Sequence, residues 1–315
     1  MPSPEWLIER GIGEIRVALV EDARILEARV LRDGVVPAGT MLQAQLKHAG
    51  RNAVAVADGQ EYLLPKGAPR VTEGAKLNIE VTRETLGDAE PWKRPLARVT
   101  DSAPRPAPAL KGRELQFPAA KDELEAAGWS DLLDEARSGL IAFPGGELRI
   151  AVTPAMTLID VDGNLPAAEL AMAGARAGAA ATRRHGVGGS IGLDLPTVDS
   201  KAVRLAAAEA VDELLPKPFE RTAVNGFGFL QIVRPRTHAS LFELAMDRAA
   251  FEARALLRRA AREIGSIRLV AHPAVASVLE HDRDWIEQLA RQVGGTVTLR
   301  ADPSISMSAS HAEKP

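Results

Sequence analysis

Residues 146–198 contain the pattern that most restricts how this chain can fold. Two short apolar runs, AMTLIDVD and GGSIGLDL, each have the length of one buried strand and carry one carboxylate near the C-terminal end. The carboxylates belong to Asp160 and Asp194, and an alanine-rich helical segment lies between the two runs. The pattern predicts a βαβ unit. Because such crossovers are right-handed and return to a parallel strand, both strands should end at the same edge of the sheet.

Three residues mark the ends of the helix in this βαβ unit. Asn164 is predicted to cap the N-terminus, and Pro166 suits the first turn, where its missing N–H would be unpaired in any case. Gly186 follows the last turn, where glycine commonly ends a helix. These signals place the helix between the two strands.

Asp160 and Asp194 are candidate metal ligands because of where the βαβ unit places them. Ligands of open α/β sheets bind beyond the carboxyl ends of the strands, and paired carboxylates suit a hard cation such as Mg²⁺. Asp162 could provide a third oxygen ligand, and we expect nothing basic nearby that neutralises both carboxylates. Aspartates at strand ends are also common as helix caps and loop residues, so the spacing alone leaves both interpretations open.

The composition limits the classes of protein to which this chain can belong. The chain has 315 residues, 46% of them hydrophobic, which is enough for two or three domains with ordinary cores. No apolar run approaches the roughly 20 residues that span a bilayer and no signal peptide is evident, which predicts a cytoplasmic protein without membrane contact. Cysteine is absent, which excludes disulfides and thiolate zinc sites. The net charge of −3 requires any RNA-binding surface to be a local patch.

The first hundred residues have the pattern of β structure. Residues 1–37 contain a predicted hairpin that turns around Asp22. Residues 38–101 contain five strand-like runs, which predict a small barrel of the OB type. Asp58 and Gly59 predict a tight turn between the second and third strands, because both tolerate positive φ.

The barrel segment also supplies candidate RNA-binding residues. Arg83, Lys93 and Arg94 could contact phosphates, although a solvated charged surface explains them equally well. An aromatic content of 4% limits base stacking, the usual means by which proteins hold single strands.

Residues 102–143 connect the barrel to the βαβ unit. The proline-rich part up to residue 118 predicts a linker without helix or central strand. Residues 122–139 predict an amphipathic helix or a helix pair. Its predicted packing residues are Leu124, Trp129, Leu132 and Leu133.

The remaining chain predicts two α/β regions. Residues 144–236 add a helix and a strand at 224–233 to the βαβ unit. Residues 237–305 begin with a capping box, Ser240-Leu241-Phe242-Glu243, that predicts a helix to about Gly265, and continue into a second, smaller βαβ unit. His272 lacks a partner at metal-ligand spacing and is predicted to be structural. Residues 306–315 predict a disordered tail. The fold class is therefore α/β within an α+β multidomain chain.

Three segments resemble the catalytic domain of the RNase E/G endoribonucleases: MTLIDVDGN, GVGGSIGLDLPTVD and VNGFGFLQIVRPR. In that resemblance Asp160 and Asp194 fall on the two magnesium-binding aspartates. Asp162 falls on an asparagine of the family, which keeps an oxygen ligand and adds negative charge. Asp199 is displaced from the family's pattern and is left out of the core site.

The resemblance implies further features of the site. Mg²⁺ would be the metal, with Mn²⁺ as a substitute, and RNA the substrate. Arg234 and Arg236, after the third segment, would contact RNA phosphates. The family's barrel carries RNA-facing aromatic residues, and the matching positions here are Ala55 and Leu63. A homodimer without a zinc linker is expected, because the family's linker cysteines are missing.

These features together predict a shortened Mg²⁺-dependent endoribonuclease. It would hydrolyse single-stranded RNA to 5′-phosphate and 3′-hydroxyl ends. It would ignore the phosphorylation state of the RNA 5′ end, because the family's sensor for that end has no counterpart here. The alternative is an RNA-binding protein that keeps the scaffold without turnover. A DNA nuclease is disfavoured by the resemblance alone.

Overall fold

The computed structural model describes residues 3–87, 90 and 92–315. The chain divides into two compact units. The terminal unit comprises residues 3–33, Gly112–Leu133 and Leu244–Pro315, and the central unit comprises Gly34–Lys111 and Asp134–Glu243. Each unit is therefore assembled from segments that are distant in the chain.

Strands dominate the first half of the chain and helices the second. The strands are β1 (Glu5–Arg10), β2 (Glu14–Glu21), β3 (Arg24–Arg32), β4 (Met41–His48), β5 (Ala53–Ala57), β6 (Gln60–Leu64), β7 (Lys76–Arg83), β8 (Leu96–Val99), β9 (Arg113–Leu115), β10 (Leu140–Phe143), β11 (Gly146–Val152), β12 (Thr157–Gly163), β13 (Gly189–Asp194), β14 (Glu220–Arg221), β15 (Phe229–Arg234), β16 (Ile267–Ala271), β17 (Val297–Ala301) and β18 (His311–Glu313). The helices are α1 (Glu123–Ala126), α2 (Trp129–Ser138), α3 (Ala167–Arg184), α4 (Lys201–Leu214), α5 (Leu241–Leu244), α6 (Arg248–Ala260), α7 (Pro273–His281) and α8 (Arg283–Val293). No helix among the described residues is both long and apolar enough to cross a membrane.

The first sheet of the terminal unit has the strand order β3-β2-β1-β9. The predicted hairpin is confirmed as β2 and β3, with Asp22 and Ala23 turning between them at φ of 48° and 56°. The segment predicted as a linker without helix or central strand contains one short edge strand, β9, which pairs in parallel with β1. This three-residue strand lies between Pro108 and Pro118, so no proline removes an N–H group from its pairing at the edge of the sheet.

Two buried arginines, one in β2 of this sheet and one in α6, share a carboxylate. Arg16 is fully buried, and its guanidinium donates to Glu14 at 2.6 Å and to Glu9 at 2.5 Å. Arg258, from α6, donates to both oxygens of the Glu9 carboxylate, through Nε to Oε1 at 3.0 Å and through Nη2 to Oε2 at 3.3 Å. The ring of Phe117 lies 5.7 Å from the Arg16 guanidinium carbon and 5.4 Å from that of Arg258. Glu9 thus joins the N-terminal sheet to α6 within the terminal unit.

The predicted helix pair is confirmed as α1 and α2. The side chain of Asp122 caps α1 by accepting from the N–H of Glu125 at 2.8 Å. The predicted packing residues are all buried, namely Leu124, Trp129, Leu132 and Leu133.

The C-terminal segment contains the predicted second βαβ unit, in which β16 and β17 are parallel. The capping box is present, because Ser240 donates to Glu243 through N–H and Oγ at 2.7 Å each. The prediction of one helix to Gly265 is corrected, since α5 ends at Leu244 and the side chain of Asp247 caps a new helix, α6. A second local capping signal thus divides the helix that the pattern predicted as continuous.

The last ten residues are ordered, which corrects the prediction of a disordered tail. Strand β18 pairs antiparallel with β16, so the tail completes a three-stranded sheet. Ser310 is buried, and its carbonyl accepts from Arg259 at 2.9 Å. The polar composition of the tail suggested fraying, whereas a free edge of β16 provides its backbone with partners.

The barrel of the central unit closes in the order β4-β5-β6-β8-β7. Strand β4 pairs antiparallel with both β5 and β7, and β6 meets β8 in parallel. Asp58 and Gly59 make the predicted tight turn with φ of 48° and 80°. Buried side chains such as Leu46, Tyr62 and Ile79 fill the interior.

The second sheet of the central unit has six strands in the order β10-β11-β12-β13-β15-β14. Its core is the predicted βαβ unit, with β12 and β13 parallel and α3 between them in the chain. Helix α3 packs closely on one face, since a Cβ at Gly178 would lie 2.7 Å from Leu193. On β12 only alternate residues are buried, so the second face of the sheet is open, which corrects the prediction of a strand buried throughout.

The ends of α3 differ partly from the expectation. Pro166 is the N-cap residue and Asn164 is not, and no side chain caps this helix. Gly186 follows the C-cap residue His185 with φ of 65°, as predicted. The strand predicted at residues 224–233 is shorter, because residues before Phe229 form a turn.

Candidate metal centre on the open sheet face

The open face of the six-stranded sheet carries the two predicted metal ligands side by side. Asp160 in β12 and Asp194 in β13 are directly paired in the parallel register. Both side chains are exposed, on the face opposite α3. The sequence prediction that these carboxylates lie together is therefore confirmed, and their role as ligands stays a prediction.

The two carboxylates influence each other electrostatically. Burial and the negative charge of Asp160 raise the pKa of Asp194 above its ordinary value. Ionising both groups is unfavourable without a cation nearby. A divalent cation would remove this repulsion, so the electrostatics of the pair fit a metal site.

Asp162 lies on the same face as Asp160 but already has a basic neighbour. Its carboxylate is 3.4 Å from Nε of Arg149, which lies in β11 directly opposite Asp160. Arg149 is also 3.5 Å from Glu147. Arg149 forms its described ion pairs with Asp162 and Glu147, so the expectation that nothing basic neutralises both Asp160 and Asp194 stays a prediction. The charge that Asp162 adds to the site is thus partly compensated by Arg149.

The donor set fits Mg²⁺ with two protein carboxylates. Within the described part of the chain, no group of three His, Cys, Asp or Glu side chains is arranged to hold a metal. Mg²⁺ commonly binds through one or two carboxylates, keeps several waters and contacts substrate phosphates. Asp160 and Asp194 meet that requirement, and the open face leaves the remaining positions accessible to solvent and substrate.

An aromatic border next to the acidic pair was missed by the sequence analysis. Phe229 is directly paired with Asp194 in the antiparallel register of β13 and β15. Its ring lies over Gly192, where a Cβ would come within 2.6 Å of it. Phe227, in the preceding turn, is 82% exposed. The only signal for it in the sequence was the alternation of glycine and phenylalanine in NGFGF.

The sequence matches no protein-family model and none of the curated proteins. The resemblance to the RNase E/G endoribonucleases therefore rests on short sequence segments.

Of the two arginines predicted to contact RNA after β15, Arg236 is engaged within the protein. Its guanidinium donates to Glu90 at 2.6 Å and forms a second ion pair with Glu243. Arg234 donates to the backbone carbonyl of Val187 at 3.2 Å and is half-buried. Contacts from these residues to phosphates stay a prediction, and for Arg236 they would require exchange of existing ion pairs.

The predicted barrel cations are also engaged. Arg83 donates to the backbone carbonyl of Arg94 at 2.8 Å, and burial together with the charge of Arg236 lowers its pKa. Lys93 forms an ion pair with Glu90, and Arg94 donates to Glu61 at 2.7 Å. Arg94 and Lys93 remain partly exposed, so they are the more accessible of the three.

The barrel positions that match family aromatic residues do not share one surface. Ala55 is fully buried in the barrel interior, whereas Leu63 is half-buried and pairs with Val54. A larger aromatic residue at Ala55 would point into the core. The exposed aromatic side chain near the predicted cations is Trp92, which is 64% exposed.

Two histidines have structural roles. His272 caps α7 by accepting from the N–H of Ala274 at 3.2 Å, as a structural role predicts. His185 is fully buried, stacks on Phe242 with 4.4 Å between ring centroids, and places Nε2 3.1 Å from Glu135. Neither histidine belongs to the acidic face.

Asp194→Asn is expected to raise the free energy of unfolding of the metal-free protein near neutral pH. Folding raises the pKa of Asp194, so the protonated side chain favours the folded state. Its contribution to the free energy of unfolding is complete below the unfolded-state pKa and is lost as the pH rises through the folded-state pKa. Asparagine is neutral at every pH and removes this loss. Chemical denaturation should show a gain at neutral pH that shrinks on acidification. Destabilisation at neutral pH would contradict the prediction.

Proposed function

We propose that this protein is a Mg²⁺-dependent endoribonuclease that hydrolyses single-stranded RNA. The observation that carries the proposal is the register pairing of Asp160 with Asp194 on an open sheet face, with the pKa of Asp194 raised partly by Asp160. A pair of adjacent carboxylates that repel each other is a suitable receptor for a hard divalent cation. The resemblance of the surrounding segments to RNase E/G endoribonucleases supplies the reaction class.

In this proposal Asp160 and Asp194 hold Mg²⁺, for which Mn²⁺ could substitute. The bound cation would neutralise charge on the phosphodiester and lower the pKa of a coordinated water. Arg149 lies directly opposite Asp160 on the neighbouring strand, and its guanidinium would contact a phosphate oxygen of the RNA. The products would be 5′-phosphate and 3′-hydroxyl ends.

The shape of the site favours a polymer over a small molecule. Asp160, Asp162 and Asp194 are exposed on a broad sheet face, and none of these side chains is enclosed. An extended strand can cross such a face, whereas small ligands usually bind in cavities that bury most of their surface. The closed barrel, interpreted as an OB-type RNA-binding module, would hold the strand through Trp92 and nearby cations.

Assembly and end recognition complete the proposal. We expect a homodimer that forms without zinc, because the sequence contains no cysteine. The chain has no recognisable sensor for a terminal phosphate. Cleavage should therefore depend little on whether the RNA begins with a monophosphate, triphosphate or hydroxyl group.

The decisive experiment incubates the purified protein with single-stranded and structured RNA, each bearing a 5′-monophosphate or a 5′-hydroxyl. Cleavage of the single-stranded RNA with Mg²⁺ or Mn²⁺, and none with a chelator, is the expected result. The control is the Asp160→Asn/Asp194→Asn double variant purified in the same way, which excludes a contaminating nuclease. RNA binding without cleavage in any metal would instead support the alternative of an RNA-binding scaffold.

A further inference from the structure

Phe227 has an exposed aromatic side chain and lies in the turn formed by the sequence NGFGF. It is 82% exposed, although the residues before and after it in the turn are fixed by hydrogen bonds. A single exposed apolar residue is ordinary on a protein surface. Phe227 differs because hydrogen bonds hold its backbone and because it precedes by two residues Phe229, which is directly paired with Asp194.

The backbone around Phe227 is fixed by the side chain of Asn225. The Oδ1 atom of Asn225 accepts from the N–H of Phe227 at 2.9 Å and from that of Phe229 at 3.0 Å. The N–H of Gly228 donates to the Asn225 carbonyl at 3.2 Å, and Thr197 Oγ1 donates to the carbonyl of Phe227 at 3.1 Å. These hydrogen bonds therefore fix the backbone from which the ring of Phe227 projects.

The same turn is joined to the strand that ends at Asp194. The N–H of Leu195 donates to the carbonyl of Gly228 at 3.2 Å. Gly228 has φ of 93°, and a Cβ there would collide with the backbone carbonyl of Leu195, so only glycine permits this close approach. Phe227 precedes Phe229 by two residues, and Phe229 is directly paired with Asp194.

We propose that Phe227 is a stacking platform for one nucleobase of the RNA strand that crosses the acidic pair. The inference rests on the proposed function and specifies how the same site positions its substrate. A rigid ring loses little conformational freedom on stacking, and every base has a face that can stack, so this contact suits single strands of varied sequence. The open face of the same sheet carries Asp160, Asp194 and Arg149, and a charged face of this kind favours a nucleotide over an apolar protein partner.

The test is a double-mutant cycle between the protein and the RNA. Phe227→Ala, Phe227→Trp and the wild type are compared for binding, in the Asp160→Asn/Asp194→Asn background, to oligoribonucleotides that lack one base at successive positions. The same oligonucleotide with every base present is the reference for binding. The values of kcat and KM for cleavage are measured separately, with proteins that keep Asp160 and Asp194. Leu205→Ala is the matched control, because Leu205 is 57% exposed on α4, the helix packed beside α3.

The expected result is that Phe227→Ala weakens binding of intact RNA by about 5- to 150-fold, which corresponds to about 1–3 kcal/mol per stacked base. Phe227→Trp should retain binding. Removal of one particular base should weaken wild-type binding by a similar factor and have no further effect on Phe227→Ala. Leu205→Ala should bind as the wild type does.

Three outcomes would overturn the proposal. Equal binding of intact RNA by Phe227→Ala and wild type would refute stacking while leaving endonuclease activity standing. An additive loss at every abasic position would show that Phe227 supports the turn and does not contact a base. Failure of the wild type to bind or cleave any RNA would refute both this inference and the proposed function.

Discussion

Replacing Asp160 or Asp194 by asparagine should lower the rate of RNA cleavage by about 10²- to 10⁴-fold, because metal-ion catalysis contributes several kcal/mol and each 1.36 kcal/mol is tenfold in rate. Asparagine keeps the shape of the side chain and removes the negative charge that attracts the cation. Both residues are exposed, so the variants should keep the fold, and metal-free Asp194→Asn should show the higher free energy of unfolding predicted above. Circular dichroism and single-turnover cleavage with Mg²⁺ measure the two quantities separately.

The controls for this prediction come from neighbouring carboxylates. Asp162→Asn should have a much smaller effect, since the Asp162 carboxylate already interacts with Arg149 at 3.4 Å. Asp199→Asn should leave cleavage unchanged. The double variant at Asp160 and Asp194 should be about as inactive as either single variant, because the effects of replacing residues that act as a unit do not add. Wild-type rates in either single variant would refute the metal assignment.

Replacing Glu9 by alanine should lower the free energy of unfolding of the terminal unit by about 3–5 kcal/mol, the usual effect of removing one partner of a buried ion pair. Glu9 is 2% exposed and accepts from Arg16 and Arg258, which are 0% and 4% exposed. Its removal leaves two guanidinium groups in the core without their shared carboxylate. Glu9→Gln should be less destabilising, because the amide oxygen can still accept one hydrogen bond.

Urea denaturation followed by tryptophan fluorescence can measure this effect. Trp6, Trp129 and Trp285 all lie in the terminal unit, so the signal reports mainly on it. Glu114→Ala is the matched control, because Glu114 pairs with Arg10 on the surface, where side chains are 52% and 59% exposed. Exposed pairs typically contribute about 0–1 kcal/mol. Equal effects of the two substitutions would show that the buried network is not a source of stability.

Features that depend on neighbours in the chain could be predicted from the sequence. The turn at Asp22-Ala23 was identified from the alternation of the flanking strands, and the turn at Asp58-Gly59 from two residues that tolerate positive φ. The βαβ unit follows from two apolar runs and one helical segment, which restrict the connection to a right-handed crossover. The crossover helix returns the chain to the same edge, so the two strands are parallel, and this was sufficient to predict that Asp160 and Asp194 lie together.

The sequence was less informative where a side chain's partner is distant in the chain. Arg236 looked available for phosphate, but the fold places Glu90 and Glu243 against it. The polar C-terminal tail looked disordered, but the edge of β16 provides it with hydrogen-bond partners. In both cases local composition is ambiguous, because charge and polarity describe what a residue can bind and not what lies next to it.

Side-chain periodicity and backbone sterics act over short distances, and they were sufficient to predict most strands and helices, the tight turns and the juxtaposition of the two aspartates. Three other features depend on the assembled tertiary structure: Arg149 lies opposite Asp160, Glu9 joins two buried arginines, and Phe227 is exposed in the turn before Phe229. Each of these depends on the register between strands or on the packing of segments far apart in the chain. A change of one residue in register moves a side chain to the opposite face of a sheet, so these positions are determined only when the whole sheet is assembled.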